Sequence, residues 1–321
     1  MQGSIFASVF NRIEKMKMAK KLKKYAMPAD PVFIIGHWRT GSTLLHQLRS
    51  LDSNLVTPNV LQVSTPESFL VSEKFYKPVM SKAMRATRPM DNVKLDVLQP
   101  QEDEYALIKL TIDSPLEKMI FPSNMNYFLS DVSFLPKNEQ KWKTSFYHFC
   151  LRLSFSKGKR VLLKNPFHSM RVQLLMELFP DSKFIHIHRN PYDVVPSAIH
   201  MWNIVGSENK LKRVEQRITI KDVSVVYNKM LNQIQMQLKD IPEENKVEIS
   251  FQKLENDPIL ILKDIYKKLN LEYTDKYERV VNEWLSKMKS YKKNTYQLSK
   301  PDKETIRDIL GKQFIYYNYK Q

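Results

Sequence analysis

The chain holds a single cysteine, Cys150, among its 321 residues. No disulfide can form within it, and a reducing cytoplasm is its simplest setting. Glycine is almost as scarce, with six in the whole chain, and no Gly/Ser linker, low-complexity tract or internal repeat divides the sequence. No apolar run approaches the ~18 residues that span a bilayer. The short apolar stretch from Met1 to Phe10 is followed by positive charge instead of preceded by it, the wrong order for a secretory signal. Acidic residues are outnumbered as well, 34 Asp and Glu against 51 Lys and Arg, for a formal charge of +17. Such a field favours an anionic partner: nucleic acid, a lipid surface or a phosphorylated small molecule.

Six lysines fall in Lys15 to Lys24, within a helix expected over residues 5–25. A solvated face is the ordinary reading of such a run, and contact with a membrane surface the sharper one. Further on, apolar runs alternate with helical periodicity. Strands are expected at Val32 to Ile35, Arg160 to Leu163, Lys183 to Ile187 and Lys246 to Phe251. Helices are expected at Ser42 to Leu51, Glu102 to Thr111, Ser169 to Leu178, Val223 to Leu238 and Pro258 to Leu269, and in the basic tail. Residues 53–100 read as irregular, broken by Pro58, Pro66, Pro78, Pro89 and Pro100 into short helical pieces. This alternation implies one α/β domain over residues 1–321, with a central, mostly parallel sheet flanked by helices. Residues 1–28 form its basic N-terminal helix.

Two of the few glycines, Gly36 and Gly41, bound a loop between the first strand and the next helix. In Gly36-His37-Trp38-Arg39-Thr40-Gly41-Ser42-Thr43, backbone N–H groups and a helix N-terminus make an anion cradle. The spacing is that of the nucleotide-triphosphatase loop, but Ser42 stands where that loop carries lysine. The cation is instead Arg39, at the apex, placed to meet charge on a departing group. A second strand–turn–helix, Lys183 to Ser197, sets Arg189 at a strand end and Ser197 eight residues later. Pro191 suits the first turn of the helix. Arginine and hydroxyl together make a second anion site.

With both motifs present, the chain resembles the sulfotransferases that use 3′-phosphoadenosine 5′-phosphosulfate (PAPS), nearest their broad bacterial branch. The resemblance extends to Leu162 to His168 and, more loosely, to Val247 to Leu269, where Phe251-Gln252-Lys253-Leu254 replaces the family's Tyr-Glu-Asp-Leu. Trp38, where proline is common, is another departure. The resemblance implies a P-loop-like fold, with Arg39, Thr40, Gly41, Ser42 and Thr43 cradling the 5′-phosphosulfate. It places Arg189 and Ser197 on the 3′-phosphate, and requires no metal. A base must take the proton of an acceptor hydroxyl. His168 and the acidic run Glu102-Asp103-Glu104 compete, with Glu104 slightly favoured because its helical face points toward the core, where an unemployed carboxylate is costly. A third reading joins the two as base and orienting partner. Lys164 is expected on the sulfuryl oxygens, His37 near the donor, and Lys292 and Lys293 with Tyr296 as a cap on the nucleotide.

The acceptor is expected in residues 53–155, whose Met, Phe, Tyr and Pro content suits a hydrophobic alcohol such as a sterol, a bile-acid-like molecule or a lipid. A P-loop kinase is disfavoured by Ser42 and by the lack of a clear magnesium-binding aspartate. A nucleic-acid binder is disfavoured because no recognised nucleic-acid module is present.

Overall fold

The four residues of β1 (Val32–Ile35) are all buried, so this strand must be covered on both faces, which places it at the centre of a parallel sheet. The computed structural model describes residues 2–84, 87, 96–120, 132–209, 218–288 and 294–320. Among them the sheet has five strands in the order β2-β3-β1-β4-β5. The others are β2 (Leu55–Val56), β3 (Arg160–Lys164), β4 (Lys183–His188) and β5 (Lys246–Ser250). Every pairing is parallel.

The chain leaves β1 toward β2 and β3 on one side, then crosses to β4 and β5 on the other. That reversal opens a crevice at the carboxyl ends of β1, β3 and β4, where open α/β sheets place their ligands. Ile34 pairs with Lys164 and with Ile185, so Lys164 and the loop after Ile35 meet at this edge.

Each face of the sheet has its own apolar layer. Phe33, Ile35, Val161, Leu163 and Phe184 pack against Trp142, Phe146, Phe149 and Leu153. Val32, Ile34, Leu162, Ile185 and Ile187 pack against Leu45, Leu48, Leu262 and Ile265. A third cluster gathers Trp38, Phe167, Trp202, Tyr227 and Phe314 beside the crevice.

The helices, in chain order, are α1 (Gln2–Lys24), α2 (Ser42–Ser50), α3 (Val60–Ser64), α4 (Phe69–Ala83), α5 (Glu104–Thr111), α6 (Glu117–Ile120), α7 (Glu139–Lys157), α8 (Val172–Leu178), α9 (Pro191–Asn209), α10 (Ile220–Leu238), α11 (Phe251–Asn256), α12 (Pro258–Lys268), α13 (Asp275–Met288) and α14 (Lys300–Tyr316). Three differences from the sequence expectation have physical causes. The stretch expected as irregular contains the fifteen-residue α4, which carries Pro78 in its interior. There the proline lies on the exposed side of the helix. The aromatic-rich section contains α7, whose buried face is Trp142, Phe146, Phe149, Cys150 and Leu153; the helical spacing is present, carried mostly by rings with little helix propensity. Residues 166–170 form a tight 3-10 turn before α8, because Pro166 has no N–H for a ladder bond and Asn165 caps Phe167 N–H at 3.0 Å.

Candidate active site

Gly36 leaves β1 with φ +144, and a Cβ there would lie 2.5 Å from the Ile187 carbonyl oxygen; only glycine lets the loop pass β4 so closely. The turn then closes on itself. Thr40 Oγ1 donates to the His37 carbonyl at 2.7 Å, and His37 Nδ1 meets the Trp38 carbonyl at 2.7 Å. Burial drives the His37 imidazole pKa down to about 4, so this ring is neutral and its Nδ1 donates. Trp38 is an anchor: it packs edge-to-face on Phe167 and on Trp202, each at 5.0 Å, and on Phe134.

Arg39 is held at the apex in the left-handed region, φ 68, a conformation that costs a non-glycine residue about 1–2 kcal/mol. Its Nε donates to Ser197 Oγ at 2.9 Å. Gly41 starts α2 at φ 94 and no side chain caps the helix. The first-turn N–H groups at Ser42 and Thr43 therefore point into the crevice end of the helix with the positive end of its dipole, the arrangement an anion requires.

Phe251 joins this loop to the second motif. A Cβ on Gly41 would sit 2.0 Å from the Phe251 ring, and the Arg189 guanidinium lies over the same ring, 4.4 Å from its centroid. Arg189 Nε also donates to Asp193 at 3.3 Å, and its carbonyl accepts from the buried Tyr227 hydroxyl at 2.8 Å. Arg189 and Ser197 are thus both tied to the Gly36–Thr43 loop, Arg189 through the Phe251 ring and Ser197 by accepting from Arg39. The family's tyrosine is a phenylalanine here, and the ring does the bridging.

The acidic run divides its labour among three bases from one short stretch. Lys164 Nζ donates to Glu102 Oε1. His168 Nε2 donates to Asp103 at 2.8 Å. Arg171 grips Glu104 with both terminal nitrogens, at 2.7 and 3.2 Å. Glu104 also accepts from Asn165 and from Ser114, each at 2.7 Å. Burial alone would raise the Glu104 pKa, but the Arg171 charge and hydrogen bonds, then His168 and Ser114, outweigh it and hold the pKa below the usual glutamate value.

Glu104, Asp103 and His168 are fully buried. Of the acidic run weighed as a partner for His168, it is Asp103 that pairs with it, and Glu104 is the counter-ion of Arg171. Neither Glu104 nor His168 has the open approach that a base for an incoming hydroxyl needs. Glu102 keeps a fifth of its side chain exposed and Lys164 a few per cent. Arg171 is not among the residues expected from sequence; its signal is charge, since Lys164, His168 and Arg171 match the three acids in number.

Beside Lys164, His46 on α2 stands 2.5 Å from Thr57 Oγ1. Burial first, and the Lys164 charge second, push its pKa well below the ordinary range. Tyr296 lies against His200, while Lys292 and Lys293 fall outside the described residues.

A family model described as Sulfotransferase family matches residues 31–275, which takes in the whole sheet and both anion motifs. The chain belongs to the sulfotransferase family. It is 29% identical over 309 residues to the omega-hydroxy-beta-dihydromenaquinone-9 sulfotransferase Stf3 of Mycobacterium bovis and of Mycobacterium tuberculosis, covering 95% of this chain and 79% of that protein. The fold of this sulfotransferase is similar to that of STF9 from Mycobacterium avium, at TM-score 0.73 and 16% identity, over 97% of this chain and 82% of that one. STF1 from Mycobacterium tuberculosis H37Rv gives TM-score 0.65 at 16% identity, over 97% and 83%.

Proposed function

We propose that this sulfotransferase moves the sulfuryl group of PAPS to the hydroxyl of a small lipophilic acceptor. The observation that carries the donor is the joining of two anion sites by Arg39–Ser197 and by the Phe251 ring, because a ligand phosphorylated at both ends needs both at a fixed separation. Thr40, Gly41, Ser42 and Thr43 hold the 5′ end through loop and helix N–H groups. Arg189 and Ser197 take the 3′-phosphate. When bound, the donor supplies an activated sulfuryl group and an adenosine bisphosphate leaving group. Arg39 and Lys164 place positive charge where negative charge grows as the bond to the leaving group lengthens. That coverage by side chains and amides needs no metal.

Glu102 takes the proton of the acceptor hydroxyl. It has the solvent access that Glu104 and His168 lack, and Lys164 fixes its orientation through one carboxylate oxygen. In-line transfer depends chiefly on such positioning.

Two observations support a lipophilic acceptor. Leu98, Tyr105, Ile112 and Leu135 are exposed on and around α5, the helix that Glu102 precedes. The mycobacterial relatives, for their part, are named for an omega-hydroxy menaquinone. A sterol, a bile-acid-like alcohol or a hydroxylated isoprenoid fits this description better than a sugar. The donor and the single buried Cys150 suit a cytoplasmic setting. The test is transfer of labelled sulfate from PAPS, in the presence of EDTA, to pools of lipid, steroid, phenol and carbohydrate alcohols. Label in the lipid or steroid pool is expected. Label in the carbohydrate pool alone refutes the acceptor class, and absence of label from PAPS in every pool refutes the donor.

A further inference from the structure

Among its described side chains, Phe10, Asn11 and Glu14 clamp helix α1 to the domain along one side. Glu14, 2% exposed, accepts from Arg152 Nε at 3.0 Å and from the Leu70 N–H of α4 at 2.9 Å. Asn11 donates to Glu67. Phe10 packs on Phe75 at 5.2 Å and on Tyr76 at 5.6 Å. With Phe10, Asn11 and Glu14 turned inward, helical geometry turns Val9, Arg12, Met16, Lys20 and Lys23 outward, at steps of three and four residues.

This outward stripe mixes apolar with basic side chains. Met16 is 79% exposed and Val9 49%; on α4, Val79 is 58% and Phe75 49% exposed. The Phe10–Phe75 ring contact makes the exposed sides of the two helices continuous. Around these apolar groups, α1 and α4 together carry ten Lys and Arg residues and two glutamates, Glu14 and Glu73. One of those two, Glu14, is already spent on Arg152. The surface is thus strongly cationic with large apolar side chains standing out of it. Solvation alone accounts for the lysines but not for four exposed apolar side chains held among them.

We infer that the α1–α4 face docks on an anionic lipid bilayer. Its lysines and Arg12 would meet the headgroup phosphates and carboxylates, while Val9, Met16, Phe75 and Val79 enter the boundary with the acyl chains. Charge complementarity selects this occupant, since a neutral or cationic partner leaves the basic excess unmatched. The face lies in the layer that leads to the catalytic crevice, α1 on α4, α4 on α3 and α3 on α5. None of the described helices is long and apolar enough to cross a membrane, so the contact is peripheral. The inference stands whether or not the acceptor is lipophilic.

The test is co-sedimentation of the full chain with vesicles of phosphatidylcholine alone and of phosphatidylcholine mixed with phosphatidylserine. Binding to the mixed vesicles is expected, weakening as salt rises. Lys20→Glu/Lys23→Glu should weaken it by tenfold or more, since each lysine near the surface contributes about fivefold. Met16→Ser/Val79→Ser should weaken it several-fold at unchanged charge. All four side chains lie outside the clamp and the catalytic crevice, so the thermal midpoint and sulfate transfer to a water-soluble alcohol should stay as in wild type. Equal sedimentation with both vesicle types, or an unchanged Lys20→Glu/Lys23→Glu variant, overturns the inference. So does displacement from vesicles by duplex DNA at stoichiometric amounts, which would mark the face as a nucleic-acid surface.

Discussion

Arg39 Nε donates to Ser197 Oγ at 2.9 Å, a bond between the Gly36–Thr43 loop and the helix of the second strand–turn–helix motif, 158 residues away in sequence. It fixes the direction of the only cation in the loop, on a backbone held in the left-handed region. Function and stability therefore separate at this residue. Arg39→Ala should lower kcat for sulfate transfer by about 10²–10³-fold. Arg39→Gly should be as inactive, yet at least as stable as Arg39→Ala, because glycine accepts φ 68 freely. Thermal unfolding and initial rates on the two variants check both statements.

The acidic run gives a second separation. Glu104→Ala leaves the buried Arg171 guanidinium without its partner and should cost about 3–5 kcal/mol in urea unfolding. Glu102→Gln removes the charge facing the nearly buried Lys164 but keeps an amide oxygen to accept from it, so it should cost less stability than Glu104→Ala, while kcat falls by about 10²-fold or more. The reverse pattern, with activity surviving Glu102→Gln, would remove Glu102 from its role as base.

Both strand–turn–helix motifs and four of the five strands were legible in the sequence, because strand–glycine–helix order and continuous apolar runs are local signals. What stayed hidden was partnership. Glu104 and His168 looked like competing bases because helical phase and strand position suggested buried, employed groups. Both are employed in buried pairs with Asp103 and Arg171, contacts made only once the start of α5 meets the turn of residues 165–171. The two-residue β2 is too short for any periodic signal. Phe251 looked like a departure from the family motif, and its bridging role depends on two contacts distant in sequence.

Phe251 itself is testable. Gly41→Ala adds a Cβ at 2.0 Å from its ring at φ +94, and should destabilise by at least about 2 kcal/mol. Phe251→Leu should recover part of that loss in the double variant. Alone, it removes the ring under Arg189 and should weaken donor binding a few-fold to about tenfold. Additive losses in the double-variant cycle would contradict the contact.

Acidification should destabilise the fold in two stages. Burial, the largest cause in each case, lowers the pKa of His37 to about 4 and that of His188 to about 3. Below the ordinary value of 6.5, the unfolded chain binds protons that these folded rings refuse. Stability should fall as pH drops from about 6.5 toward 4, by up to about 1.4 kcal/mol per pH unit for each ring. Glu104, with its lowered pKa, adds a further loss below about 4.5, the ordinary glutamate value, as pH falls toward its folded value. Urea unfolding at a series of pH values reads both stages. His37→Asn/His188→Asn should reduce the first stage, leaving the share that the buried His46 contributes, and leave the second.

The most direct test of the donor site is calorimetric titration with 3′,5′-adenosine bisphosphate in the presence of EDTA, on wild type, Arg39→Ala and Arg189→Ala. Metal-independent binding to wild type is predicted, weakened about tenfold or more in each variant, as expected for a charged hydrogen-bonding partner of phosphate. Failure of wild type to bind the bisphosphate, with ATP and magnesium binding instead, would contradict the assignment of the two anion sites.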